Sequence, residues 1–357
     1  MIRGRGVAQG TRATTEAHNP LQSCNPIRIP LWAGPWGSAE QAQVTTGTLD
    51  WPYYGHDLGN MRYQDADQIN PTNVANLVPI WVFHTGVLDA QSSFEVSPIV
   101  VAGTMYISTG HDDVFALDAA TGVEKWAYHP EAAMPPFSKL SICCGRDNRG
   151  VAFANGKIFL ARLDAVLTAL DAQTGRVVWQ APVADWRQGF TMTMAPQVID
   201  RLVIVGISGG EYLSRGAVVA FDAETGRRVW QFDTTLPGGT WADGSWARGG
   251  APVWSNPSVD PRLGLIYVPT GNAAPDLNGF FRAGQNLYTA SIVALDVRSG
   301  QEFIVNAFGG NTLDNTFQYA PLGDALVAFA LPPPGFAGPR VTYADSAPQS
   351  SAVHPSR

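Results

Sequence analysis

One unit recurs along this chain, and its first copy reads Ala116-Leu117-Asp118-Ala119-Ala120-Thr121-Gly122, with Trp126 four residues further on. Three later stretches repeat it: Ala169-Leu170-Asp171-Ala172-Gln173-Thr174-Gly175 leading to Trp179, Ala220-Phe221-Asp222-Ala223-Glu224-Thr225-Gly226 leading to Trp230, and Ala294-Leu295-Asp296-Val297-Arg298-Ser299-Gly300. The fourth copy has Ile304 where the others have tryptophan. The period is roughly 50 residues, which is typical of one four-stranded blade of a β-propeller.

Each part of the repeat has a physical role. The apolar residues before the aspartate predict a strand, the Asp and Thr side chains can bond a tight turn, and glycine permits a positive φ there. The tryptophan on the following strand is a large apolar plate that can dock between neighbouring sheets. A β-sandwich that carries the motif by chance is the alternative.

The two flanks of the repeat region also have strand character. Leu77–Phe83 contains Trp81 and resembles the tryptophan strand of a blade, while Gly323–Pro332 resembles the strand that precedes it. We expect these segments to pair and to complete one further blade, which removes exposed sheet edges.

Composition supports an all-β protein. Only 15% of the 357 residues are charged, 45% are hydrophobic, and there are 37 glycines, 26 prolines and 11 tryptophans, as in a turn-rich β protein. The net charge is −7 and no basic run occurs, so nucleic-acid binding is not expected. No apolar run is long enough to span a membrane. We predict an irregular leader at 1–50 without a recognisable signal peptide, a propeller at 51–332, and a disordered Pro- and Ser-rich tail at 333–357.

Four features on this scaffold suggest chemistry. Cys143 and Cys144 are adjacent and are either two buried thiols or a rigid disulfide plate suited to stacking on a planar ligand. Ser208-Gly209-Gly210-Glu211 follows a strand and is either a polar turn or a close backbone approach with a carboxylate for a hard cation. Asn272 ends another strand as a turn residue or a second oxygen ligand, and Trp254 by itself indicates core.

These features, in this order and on a propeller, resemble the quinoprotein alcohol dehydrogenases, which use pyrroloquinoline quinone (PQQ) and calcium. The resemblance covers residues 51–332 and includes the opening segment Trp51–Asp57. It implies an eight-bladed fold and the oxidation of alcohols to aldehydes.

The resemblance also implies site residues. Cys143 and Cys144 would form a disulfide on one face of PQQ, and Trp254 would stack on the other. The other positions that match PQQ contacts are Glu95, Arg149, Thr193, Ser208, Gly209 and Gly210. Glu211 and Asn272 match the ligands of the calcium ion, a position that a lanthanide can also take, and PQQ would supply the remaining ligands.

The sequence departs from the family after Gly300. The family continues there into a His-Asp-x-Trp-Asp segment that carries the catalytic base, whereas this chain continues Gln301-Glu302-Phe303. No catalytic residue is therefore assigned. We expect an internal segment of about three blades to be missing, which leaves an open arc or imperfect ring of about five.

Partners and location follow from the resemblance. An alcohol is the expected substrate, a cytochrome c the expected electron acceptor, and the periplasm the expected compartment, since a vicinal disulfide needs oxidising conditions. The alternative function is a non-catalytic propeller scaffold for protein–protein interaction.

Overall fold

A computed structural model of the chain describes residues 50–238, 240–276, 278–307 and 325–330. The leader predicted at 1–50, apart from Asp50, and the tail predicted at 333–357 lie outside these ranges. The described part folds into four four-stranded sheets and one two-stranded sheet. The predicted all-β propeller, incomplete and with about five sheets, is confirmed.

The strands, numbered in chain order, have the following bounds. They are β1 Val78–His84, β2 Ile99–Val101, β3 Thr104–Ser108, β4 Val114–Asp118, β5 Glu124–Tyr128, β6 Ala152–Ala154, β7 Lys157–Ala161, β8 Val166–Asp171, β9 Val177–Pro182, β10 Gln197–Ile199, β11 Leu202–Gly206, β12 Ala217–Asp222, β13 Arg228–Asp233, β14 Ser258–Asp260, β15 Leu265–Pro269, β16 Ser291–Asp296, β17 Glu302–Ala307 and β18 Ala325–Ala330. Short 3-10 helices are Val74–Asn76, Glu131–Ala133, Phe137–Lys139, Trp186–Gln188, Gly210–Tyr212, Ala242–Arg248 and Gly279–Arg282.

Each four-stranded sheet is an antiparallel meander of consecutive strands. Blade 1 is β2–β5, blade 2 is β6–β9, blade 3 is β10–β13 and blade 4 is β14–β17. The repeated motif forms the turn between the third and fourth strand of each blade. The periodicity of the sequence is therefore the periodicity of the fold.

The turns are held by the aspartate of the motif. Asp118 Oδ1 accepts hydrogen bonds from the backbone N–H of Ala120 and of Thr121 and from the Thr121 hydroxyl, at 3.1, 3.0 and 2.9 Å. Equivalent hydrogen bonds recur at the other three turns. One carboxylate oxygen thus satisfies the donors that a tight turn leaves unpaired.

Tryptophans join each blade to the next. Trp126 Nε1 of blade 1 donates to the Ala172 carbonyl of blade 2 at 3.0 Å, and its ring lies against Gly175. Trp179 makes the same contacts with Ala223 and Gly226 of blade 3.

The same joint occurs on either side of this pair. Trp230 of blade 3 donates to Val297 of blade 4 and lies against Gly300. Trp81 of β1 packs on Gly122 of blade 1, but its Nε1 is buried without a hydrogen-bond partner. The docking order is therefore β1, then blades 1 to 4.

The core lies between neighbouring sheets rather than within one. Fully buried side chains fill three interfaces, for example Ile158 and Leu170 between blades 1 and 2, Phe159 and Phe221 between blades 2 and 3, and Ile266 between blades 3 and 4. The apolar faces of successive blades are buried against each other, which is the main favourable contribution to their association.

The flanking strands pair as predicted. β1 runs antiparallel to β18, with Trp81 opposite Ala328, the pairing that Trp126 makes with Ala116 in blade 1. In blade 4, Ile304 is opposite Ala294, so it occupies the tryptophan position of the repeat. Within the described residues, no helix is long and apolar enough to cross a membrane.

Candidate cofactor and metal site

The segments that lead into blades 1, 2 and 3 lie side by side. Ser97 N–H donates to the Arg149 carbonyl, and Arg149 N–H donates to the Thr193 carbonyl, both at 3.0 Å. These backbone hydrogen bonds bring together three predicted site residues that are far apart in sequence, Glu95, Arg149 and Thr193.

The Arg149 guanidinium is the centre of a polar network. Its Nη2 lies 2.8 Å from Glu95 Oε2 and its Nη1 lies 2.9 Å from Thr193 Oγ1. The Thr193 hydroxyl is in turn 3.2 Å from the Ser208 hydroxyl. Asp147 Oδ2, which the sequence reasoning did not select, is 2.6 Å from Arg149 Nη1. Four predicted residues and one further carboxylate therefore form a single cluster.

Trp254 lies beside this cluster with its ring open to solvent. Its exposed fraction is 45%, and the Arg149 guanidinium carbon is 5.1 Å from its ring centroid. A cation over an indole face is attractive. The large exposed aromatic surface distinguishes Trp254 from the four tryptophans that join the sheets, so it is not a core residue.

Cys143 and Cys144 are joined by a disulfide, with Cα atoms 3.8 Å apart. The bond that the family resemblance implied is therefore present. The loop is held on both sides, because Arg146 N–H donates to the Gln91 carbonyl at 2.6 Å and the Tyr212 hydroxyl donates to the Ile142 carbonyl at 2.9 Å. The second contact ties the disulfide loop to the loop that carries Glu211.

The Ser208–Glu211 loop requires its glycines. Gly209 has φ +96°, and a Cβ there would lie 2.0 Å from the Gly189 carbonyl oxygen. Ser208 is buried and its N–H donates to Thr191 at 2.8 Å. The chain thus turns sharply after Ser208 and presents Glu211 in the first turn of a short 3-10 helix.

The loops that carry Glu211 and Asn272 both pack on Pro252. Gly210 and Gly271, each one residue before a predicted metal ligand, both pack on the Pro252 ring: a Cβ on either would lie within 3.0 Å of it. Pro252 itself is two residues before Trp254. One short segment therefore contacts both loops that carry the predicted metal ligands and also carries Trp254.

The chemistry of this pair suits a hard cation. Asn272 Nδ2 donates to Asp276 Oδ1 at 2.7 Å, and no hydrogen bond to its Oδ1 comes from the part of the chain that the structure describes. Loss of solvation raises the pKa of Glu211, and the charge of Asp276 raises it further. Among the described residues Glu211 has no ion pair, and none of them form a group of three His, Cys, Asp or Glu side chains arranged for a metal. A cation here would need further ligands from the cofactor.

The donor set fits a planar anionic cofactor. The cluster contains a guanidinium and two hydroxyls, and a disulfide loop and an exposed indole belong to the same site. Guanidinium groups bind carboxylates, and aromatic rings stack on flat rings. Residues 51–303 match the family described as PQQ, "Glucose/ethanol/alcohol dehydrogenase, beta-propeller domain".

The chain belongs to this PQQ-dependent dehydrogenase family. It is 38% identical over 275 residues to a quinohemoprotein alcohol dehydrogenase of Comamonas testosteroni, covering 71% of this chain and 38% of that protein. It is 36% identical to a lanthanide-dependent methanol dehydrogenase of Methylacidiphilum fumariolicum, over 68% of this chain and 43% of that protein. The chain thus spans well under half the length of these relatives.

A solved structure shows the same relation. The quinohemoprotein alcohol dehydrogenase ADHIIG of Pseudomonas putida HK5 superimposes with a TM-score of 0.68 at 33% identity, over 72% of this chain and 40% of that one.

Two acidic residues of the site, Asp147 and Asp276, escaped the sequence reasoning. Asp147 is two residues before Arg149, and Asp276 is four residues after Asn272. That proximity in sequence was visible, but only the fold shows that both carboxylates point toward the predicted site residues.

Proposed function

We propose that this chain binds PQQ together with a metal ion and is an oxidoreductase of the alcohol-oxidising type. The observation that carries the proposal is the cluster of Arg149, Thr193 and Ser208 beside the exposed ring of Trp254. Glu211 and Asn272 adjoin it through Pro252. Calcium is the proposed ion, because carboxylate and amide oxygens are its preferred ligands.

The residues have distinct tasks in this proposal. Arg149 binds a carboxylate of the cofactor, Thr193 and Ser208 offer hydroxyl hydrogen bonds, and Trp254 and the disulfide enclose the ring system. Glu211 and Asn272 hold the metal. When bound, the quinone with its metal would provide the acceptor for the hydride of an alcohol.

No residue is proposed as the catalytic base. General-base catalysis contributes about 10²–10⁴-fold, so we expect turnover to be slower by roughly this factor than in an enzyme with a complete base. Oxidation of the alcohol to the aldehyde would pass electrons to an acceptor, and a cytochrome c is the proposed partner. The disulfide supports a periplasmic location, because it needs an oxidising compartment.

The direct test is a titration of the purified chain with PQQ and Ca²⁺, followed by absorbance of the bound quinone and by calorimetry. We expect Ca²⁺-dependent 1:1 binding, and La³⁺ in place of Ca²⁺ tests the second ion. Glu211→Gln should lower the affinity for Ca²⁺ by roughly tenfold or more, because a charged oxygen ligand is lost. Glu224→Gln, at a surface carboxylate that pairs with Lys157, should leave it unchanged.

The outcomes separate the candidate functions. Quinone binding with slow, alcohol-dependent dye reduction supports the proposal in full. Failure to bind PQQ with either ion would overturn it and favour the non-catalytic scaffold, whose signature is a stable protein partner.

A further inference from the structure

Asp147 occupies the Arg149 guanidinium, the group that is proposed to bind a carboxylate of the cofactor. The Arg149 guanidinium already contacts two carboxylates, Asp147 at 2.6 Å and Glu95 at 2.8 Å. Asp147 therefore lies beside a second negative charge, that of Glu95, which acts on it electrostatically.

The two carboxyl groups differ in their access to water. The Asp147 side chain is 9% exposed, whereas that of Glu95 is 42% exposed. Among the described residues Arg149 is the cation paired with Asp147, so an ionised Asp147 depends on this guanidinium for compensation. Burial is costly for a charge that loses its partner.

An anionic ligand at Arg149 changes this balance. A third carboxylate near one guanidinium would leave the cluster with a local excess of two negative charges if all three were ionised. Like charges this close are unfavourable in a partly buried site. Protonation of the most buried carboxylate removes the excess at the least cost.

We infer that Asp147 is the residue that takes up a proton when an anionic ligand binds at Arg149. The inference rests on the proposed function for the identity of the ligand, because the carboxylates of PQQ are ionised at neutral pH. The proton comes from solvent and stays on the Asp147 carboxyl while the ligand is bound. Release of the ligand returns the carboxylate to Arg149.

The titration properties of Asp147 agree with this geometry. Burial raises the pKa of Asp147 to about 7, Arg149 opposes the rise, and the negative charge of Glu95 adds to it. Arg146, one residue before Asp147, pairs with Asp89, and Asp89 is also bonded to the ring of His111. Asp147 is therefore poised to change its protonation near neutral pH.

The test is isothermal titration calorimetry of PQQ binding to the Ca²⁺-saturated chain, in buffers of different ionisation enthalpy. These experiments count the protons taken up. We expect uptake approaching one proton at pH 8, and an affinity that falls on the order of tenfold between pH 6 and pH 8. This part needs no variant.

Asp147→Asn resembles the protonated carboxyl and should abolish the Asp147-dependent proton uptake, flatten the pH dependence and bind PQQ more tightly than the parent at pH 8. Asp185→Asn is the matched control, because the Asp185 carboxylate also pairs with an arginine, Arg187. The backbone N–H of Arg187 donates to this carboxylate and holds the pKa of Asp185 below the usual range. That variant should behave as the parent does.

PQQ binding without proton uptake, or with uptake unchanged in Asp147→Asn, overturns the inference and leaves the proposed function standing. Absence of PQQ binding at both pH 6 and pH 8 overturns the proposed function and this inference with it.

Discussion

The ring of Trp254 shows how a single residue distinguishes a site from a core. Four other tryptophans in the chain pack between sheets, but this one remains 45% exposed beside a guanidinium. Sequence alone indicates a core tryptophan here, and only the resemblance to a family suggests stacking. Its exposure depends on long-range packing, which a local pattern does not encode.

Replacement of Trp254 by alanine should separate binding from folding. Because nearly half of the Trp254 surface is exposed to solvent, we expect the free energy of unfolding in urea to change by about 0.5 kcal/mol or less. PQQ affinity should fall roughly tenfold or more, since an aromatic contact is lost. Phe280→Ala, at a ring that is 85% exposed, is the control and should alter neither quantity. An unchanged affinity for Trp254→Ala would remove this ring from the site.

Asp147 is a site residue that the sequence did not predict. Arg149, Thr193 and Ser208 were predictable because their positions match a known pattern. Asp147 matches none, and its importance follows from burial and from the distance to Arg149, both of which are tertiary properties.

The repeated turn is the element that sequence predicts best. Its hydrogen bonds join residues within three positions of each other, as at Asp118 and Thr121, so the local sequence contains all the partners. The joint between blades is different. Trp179 meets Ala223 and Gly226, which lie more than forty positions away, and the pattern shows only that such a plate needs a partner.

Alanine substitutions at two glycines with nearly equal φ can measure how much this joint contributes to stability. Gly226 has φ +67° and a Cβ there would lie 2.7 Å from the Trp179 ring, whereas Gly156 has φ +70° and nothing within 4 Å. Gly156→Ala should cost about 1 kcal/mol of stability through backbone strain alone. Gly226→Ala should cost about 1–3 kcal/mol more, because the tryptophan must shift.

Urea unfolding followed by circular dichroism provides both values. Equal losses for the two variants would mean that the tryptophan plate adjusts freely, and that the joint contributes little to stability.

For the molecule as a whole, the pairing of β1 with β18 is the feature that sequence predicted across the greatest distance. The two segments could be matched because each resembles part of a blade that lacks its complement. The region between Ala307 and Ala325 lies outside the described residues, and so do the predicted leader and tail. Their roles stay predictions.

The buried Asp112 should make the stability of the whole molecule depend on pH. Burial raises the pKa of Asp112 to about 8, and the charge of Asp164 adds to this, while hydrogen bonds from Leu163 and Asn148 oppose it. The ordinary value is about 3.9, so the folded chain binds this proton more tightly than the unfolded chain. Its contribution to stability is complete below about pH 4 and is lost as the pH rises through about 8.

Asp112→Asn should therefore gain stability relative to the parent on going from pH 5 to pH 9, on the order of 4 kcal/mol in urea unfolding. Asp118→Asn is the control, because turn hydrogen bonds hold the pKa of Asp118 below its usual range. The difference between that variant and the parent should stay constant over this interval. A constant difference for Asp112→Asn as well would show that its carboxyl is not protonated in the folded chain.

The tryptophan joints make the assembly a one-dimensional array. Each plate couples one blade to its immediate successor, so the coupling that the plates carry passes along the row from neighbour to neighbour. Excision of an integral number of units would then disturb a single tryptophan joint, whatever the number removed, and leave the other tryptophan joints intact. In blade 4 the tryptophan position holds Ile304, which places the altered coupling at one identifiable point of the row. Such an architecture tolerates changes of length in whole modules far better than changes within one.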